Sequence, residues 1–131
     1  MVIVDTSVLV DFINGVANPE SEWLDLRLDR DRCGLTSLIL MELLRGFRNE
    51  RQAALVRAEL GEFEILETLE ADLAADAARN YRYLRNAGHT IRKPIDLVIA
   101  TQCIRQRHSL LHRDRDFDVF EERLGLKVVH P

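Results

Sequence analysis

Four carboxylates stand where a sequence of otherwise apolar runs has no obvious use for them. Asp5 follows Val2-Ile3-Val4, Glu42 lies inside Leu40-Met41-Glu42-Leu43, Asp96 comes two residues after Pro94, and Asp114 lies in His112-Arg113-Asp114-Arg115-Asp116. An isolated carboxylate among apolar neighbours costs several kcal/mol unless it is paired, protonated or bound to a cation. Plainer readings exist for each one. Asp5 could cap the helix that follows it, Asp96 could answer a helix dipole, Glu42 could pair with Arg45, and Asp114 could be solvated surface. All four holding together is improbable, and a divalent-cation site explains the set more simply. Oxygen ligands select Mg2+ or Mn2+, which keep several waters for a phosphate-bearing substrate and support in-line attack on a phosphodiester.

Other chemistries find no footing. His89, His108, His112 and His130 lack zinc-ligand spacing, and there is no Walker loop, G-x-G-x-x-G or C-x-x-C. His112 is expected at the surface. A phosphoacceptor receiver domain would need an acidic pair near its first strand and a lysine after its last main strand. A phosphatase with an aspartate nucleophile would want a second Asp where Ser7 stands.

These acids must be brought together by a fold. Val2–Val4 reads as a strand buried on both faces. Thr6 or Ser7 then caps a short helix through Phe12 and Ile13, stopped by Asn14-Gly15. Asn18-Pro19-Glu20 starts a helix that turns Trp23, Leu24, Leu26 and Leu28 inward. A second strand at Cys33–Thr36 precedes a helix from Leu38 to about Arg45, with Ser37 as its cap. A helix from Arg51 to Leu60 and a strand from Phe63 to Leu66 follow. The spacing of Leu73, Ala74, Ala77, Ala78, Tyr81 and Leu84 predicts a long helix over Leu69–Asn86, closed by Gly88. Pro94 opens another, through Ile104. Ser109–Leu111 is a strand, Phe117–Leu124 a helix capped by Asp116, and Lys127–Val129 a closing strand. Strands alternating with helices imply an α/β fold, a central parallel sheet flanked by helices in a three-layer sandwich, as one domain over residues 1–131. In such sheets ligands bind beyond the carboxyl ends of the strands, where the four acids fall.

The 131 residues carry 18 Lys+Arg against 22 Asp+Glu, a formal charge of −4, so contact with nucleic acid must be local rather than a coating of the backbone. Only Lys93 and Lys127 are lysines; the other basic residues are Arg, whose planar fork suits phosphate. Cys33 and Cys103 are expected to be free and buried. No signal peptide and no run of about 18 apolar residues is visible, so a soluble, cytoplasmic protein without membrane contact is expected.

Val2-Ile3-Val4-Asp5-Thr6-Ser7, the acid in Leu40-Met41-Glu42-Leu43, Ile95-Asp96-Leu97-Val98-Ile99-Ala100 and His112-Arg113-Asp114-Arg115-Asp116-Phe117, in this order, resemble the PIN-domain ribonucleases. More closely they resemble the VapC toxins of toxin–antitoxin pairs, over essentially the whole chain. The resemblance implies a PIN-like fold and an endoribonuclease dependent on Mg2+ or Mn2+, acting on tRNA, rRNA or mRNA. It implies a homodimer silenced by a VapB-type antitoxin. It gives ligand roles to Asp5, Glu42, Asp96 and Asp114 and a supporting polar role to Thr6. Asp116 is read as an auxiliary that reaches a metal-bound water, and Arg92, Arg113 and Arg115 as RNA contacts. The antitoxin is expected to insert a charged segment at the acids and to lay an amphipathic stretch near Trp23. Many relatives carry Thr where this chain has His112. The alternative function is an inactive PIN-like binding module.

Overall fold

The computed structural model describes residues 1–131. Its strands are β1 (Val2–Val4), β2 (Cys33–Thr36), β3 (Glu64–Leu66), β4 (Ser109–Leu111) and β5 (Lys127–Val128). They pair in the order β3-β2-β1-β4-β5, every pair parallel. Seven helices flank the sheet: α1 (Thr6–Ile13), α2 (Pro19–Arg27), α3 (Ser37–Leu44), α4 (Glu50–Glu59), α5 (Ala71–Asn86), α6 (Pro94–Gln106) and α7 (Asp118–Leu124). Covered on both faces, the central strands are mostly apolar, and Ile3, Val4, Leu35, Leu110 and Leu111 are fully buried. Gly34 is required on β2. A Cβ there would lie 2.7 Å from the Met1 sulfur and 2.9 Å from the Glu64 carbonyl of β3.

The register places Val4 opposite Leu111, so β1 and β4 end side by side. From β1 the chain runs outward through β2 to β3, then returns to place β4 on the other side of β1. The reversal leaves a crevice at the carboxyl ends of β1 and β4, the position at which open parallel sheets bind ligands.

Local chemistry explains most element ends and corrects several expected ones. Asn18 caps α2, its side chain accepting the Ser21 N–H at 2.8 Å while its own N–H donates to Ser21 Oγ at 3.1 Å. Asp5, with extended backbone, caps α1 by accepting the Ser7 N–H at 3.0 Å; Thr6 and Ser7 are already helical. In the same way Thr36 rather than Ser37 caps α3, because Thr36 is the last extended residue and its Oγ1 accepts the Ile39 N–H. Leu26 was expected inside but is 70% exposed. Leu24 and Leu28 lie four residues apart on one face of the chain, and Leu26 lies two positions from each, on the opposite side. Leu69 does not begin α5: it holds φ 63°, outside the helical region, and the helix starts at Ala71.

The largest correction concerns the loop after β4. Asp116 does not cap α7. Asp114 caps a single 3-10 turn, Arg115–Phe117, accepting the Asp116 N–H at 3.0 Å, and α7 follows directly at Asp118. Phe117 and Phe120 are fully buried, with ring centroids 6.4 Å apart, and pin this turn to the core. Cys33 and Cys103 are buried and unpaired. No helix is long and apolar enough to cross a membrane.

Candidate active site

Asp5 extends β1 into the crevice. Its N–H donates to Leu111 O on β4 at 3.0 Å, and the residue is only 4% exposed. Ser7 holds it twice, through the backbone N–H and through Oγ, which donates to Asp5 Oδ2 at 2.6 Å. Burial nevertheless raises its proton affinity above that of an ordinary carboxylate, the Ser7 hydrogen bonds opposing the rise. The capping reading of Asp5 is therefore correct as far as it goes, and the electrostatic strain of the buried charge is what it leaves over.

Glu42, on the second turn of α3, accepts a hydrogen bond from Thr6 Oγ1 at 3.0 Å. Arg45 stands 3.9 Å from its other oxygen and is itself 62% exposed on its side chain, a weak pairing that does not account for the acid. Burial raises the Glu42 proton affinity, and the Asp5 charge adds to it.

Asp96 lies in the first turn of α6. Its side chain is 7% exposed, and Oδ2 is buried without a hydrogen-bond partner. Burial, then the charge of Asp5, push its pKa up to about 7. A helix N-terminus favours a carboxylate, but here that benefit is overridden.

The loop after β4 supplies the remaining acids. Asp114 accepts from Lys93 Nζ at 2.8 Å, and Asp116 lies 3.0 Å from the same ammonium. Burial works against the Asp114 charge, but the Lys93 and Asp116 N–H hydrogen bonds prevail and hold its pKa below the usual carboxylate value. Oxygens of Asp96, Asp114 and Asp116 all lie within 4.8 Å of one another, a spacing that fits one cation. Asp116 thus belongs to the cluster itself.

His112 is not the surface residue expected from its charged neighbours. Its Nδ1 accepts the Asp114 N–H at 3.1 Å, its ring packs 4.9 Å from Phe117, and Nε2 is buried without a partner. Arg113 is also committed: its guanidinium meets Asp11 at 2.9 Å and Glu20 at 3.2 Å, and its N–H donates to Ser7 Oγ. Arg92 and Arg115 are exposed and line a cleft of about 580 Å³, together with His89, Thr90, Lys93 and two of the acids, Asp96 and Asp116.

Two residues had no assigned part in the sequence reading. Ser7 was hidden because its partners, Asp5 and Arg113, are brought together only by the pairing of β1 with β4. Lys93 carried a signal, being one of two lysines in an arginine-rich chain and lying directly before Pro94.

A parallel sheet whose topological reversal gathers acids from both ends of the chain, one of them with an orphaned buried oxygen, makes a site that could hold a divalent cation. The comparisons agree. A PIN-domain family profile matches residues 2–122. VapC ribonuclease Mb1587 of Mycobacterium bovis and ribonuclease VapC11 of Mycobacterium tuberculosis are each 33% identical over 134 residues, covering 98% of this chain and 97% of theirs. The chain belongs to the PIN-domain family and, within it, groups with the VapC ribonucleases. Among solved structures it is similar to the Rickettsia felis VapBC2 complex bound to a promoter DNA fragment, with TM-score 0.79 and 21% identity over 98% of each chain. It is similar too to FitAcB of Neisseria gonorrhoeae, with TM-score 0.78 and 23% identity over 100% of this chain and 98% of that one. Those likenesses show the fold.

Proposed function

We propose that this protein is the toxin of a type II toxin–antitoxin pair, an endoribonuclease that hydrolyses RNA phosphodiester bonds with Mg2+ or Mn2+ held by its acids. The observation that carries the reading is Asp96 Oδ2, a buried carboxylate oxygen without a partner inside a cluster of three acids at the ends of the sheet. That set fits a hard divalent cation: the donors are all oxygen, and the uncompensated negative charge is what such an ion neutralises. Asp96, Asp114 and Asp116 would hold it, with Asp5 and Glu42 completing the negative field. When bound, the ion supplies a water of lowered pKa and a counter-charge for the phosphate.

The chain's own residues do the rest. Thr6 fixes Glu42, Ser7 fixes Asp5, and His112 orients the backbone of Asp114. Arg92 and Arg115 face the cleft where a phosphate strand would lie, and Arg113 braces the loop that carries Asp114. An inactive binding module is disfavoured, because it would keep the cost of crowded buried acids without any use for them.

An antitoxin and a second copy of the chain are the partners this reading carries. An apolar hollow of about 240 Å³ between α1 and α3, lined by Val10, Ile13, Leu43 and Phe47, gives an amphipathic antitoxin segment a better seat than Trp23, whose ring lies under Arg27. The apolar groove between α5 and α6, with Tyr81, Ile91 and Val98, supports a homodimer.

The test is cleavage of a mixed-sequence RNA by the purified protein with Mg2+, with Mn2+ and with chelator, beside Asp96→Asn. Cleavage that survives chelation, or persists in Asp96→Asn at saturating metal, overturns the reading.

A further inference from the structure

Lys93 sits where a cation belongs. Its Nζ lies 2.8 Å from Asp114, 3.0 Å from Asp116 and 3.9 Å from Asp96 Oδ2, so one ammonium touches all three acids of the cluster. Of the 18 Lys+Arg residues only two are lysines, and one of them stands here. The type matters: a lysine ammonium is a compact point charge that substitutes for a small ion among carboxylates, which the planar arginine fork does not.

The same residue also lines the cleft that holds Arg92 and Arg115, about 580 Å³ in volume. Its backbone is anchored by Pro94, the first residue of α6, but its side chain is 53% exposed and turns on four flexible bonds. The acids are the only hydrogen-bond and ion-pair partners of its ammonium.

We propose that Lys93 is a tethered counter-ion that gives up Asp96, Asp114 and Asp116 to a divalent cation and turns, within the same cleft, toward Arg92 and Arg115 to grip an RNA phosphate. This rests on the metal-dependent reading above and extends it. Two cations cannot share the cluster comfortably, since like charges a few ångströms apart repel strongly in a partly buried site. The arrival of the ion therefore moves one positive charge from the acid side of the cleft to its arginine side. Ion binding and RNA binding then favour each other through this side chain, and by linkage the favour is mutual. In the ion-free protein the arginine side lacks that charge, and the acids are screened from accidental cations.

The experiment compares the full chain with Lys93→Met, which keeps the stem and removes the charge at an exposed position, with its folding checked by thermal melting. Mn2+ affinity is measured by calorimetry at low salt. RNA affinity is measured by fluorescence anisotropy with a 2′-O-methyl phosphorothioate oligoribonucleotide, with and without Mn2+. The variant is expected to bind Mn2+ about tenfold more tightly, and the RNA gain that Mn2+ brings in the native chain should shrink to the part the ion's own charge supplies. Equal Mn2+ affinity in the two proteins would overturn the proposal, and so would a full Mn2+-dependent RNA gain in Lys93→Met. Absence of Mn2+ binding in both would instead strike down the metal reading on which the proposal stands.

Discussion

Ser7 Oγ donates to Asp5 Oδ2 at 2.6 Å, and the same hydroxyl accepts the N–H of Arg113 at 3.0 Å. One small side chain thus ties the acid at the end of β1 to the loop that leaves β4. It also stabilises the charged form of Asp5 against the burial that opposes it.

Ser7→Ala should cost about 1 kcal/mol of stability, the ordinary worth of a partly buried hydrogen bond. Its larger effect is on ionisation: with the Ser7 hydroxyl gone, Asp5 holds its proton to higher pH. Cleavage in the variant should therefore fall more at pH 6 than at pH 8. A pH–rate profile with the same shape as the native one would contradict the role.

Asp96→Asn should abolish RNA cleavage and weaken Mn2+ binding while stabilising the metal-free protein at pH 8 by about 1–3 kcal/mol, because it removes a buried charge repelled by Asp5. Denaturant unfolding in chelator measures the gain. A loss of stability there would mean that the carboxylate supports the fold.

Stability should also depend on pH with an unusual sign. Folded Asp96 keeps its proton up to about 7, whereas in the unfolded chain it releases it near 3.8. The folded state therefore binds more protons across that interval, and stability declines as pH rises, by at most about 1.4 kcal/mol per pH unit for this group. Asp5 and Glu42, also raised, act in the same sense, and Asp114 and His108, both lowered, act against them. Between pH 5 and 7, where ordinary carboxylates have finished titrating, the melting temperature in chelator should drop. Mn2+ should flatten or reverse the trend, since it favours the ionised acids. A melting temperature that climbs with pH in chelator would refute the argument.

Asp114 and Asp116 separate by what else they do. Asp114→Ala removes both a cation ligand and the cap of the turn at Arg115–Phe117, so it should lower Mn2+ affinity and cost about 1 kcal/mol of stability. Asp116→Ala should lower Mn2+ affinity alone, since its side chain is 51% exposed and caps nothing. Calorimetry beside thermal melting distinguishes them. A larger melting loss for Asp116→Ala would reverse the assignment.

The alternation of elements, the parallel sheet and the four acids at strand ends were legible in the sequence because each leaves a local pattern. Apolar β-branched runs mark buried strands, Asn18-Pro19 marks a helix start, and carboxylates among apolar residues announce themselves by their cost. What escaped depends on contacts between distant segments. Lys93 lies 21 residues before Asp114, and Ser7 lies 106 before Arg113, and only the pairing of strands makes them neighbours. Caps were misplaced by one or two residues at Ser37 and Asp116 for a related reason: several polar residues stand at each boundary, and the last extended one wins.

The strand order has a consequence for when the acids come together. β1 starts at Val2, yet its second neighbour in the sheet, β4, begins only at Ser109, and Asp114 and Asp116 follow it. Such sequence-distant pairing is slow to form, because a long loop must close before any contact rewards it. Until β4 is made and docks, β1 is bare along one edge and the set of acids is incomplete. The acids are thus assembled only after that distant pairing, and a partner that recognises the finished surface has the interval before it in which to be waiting.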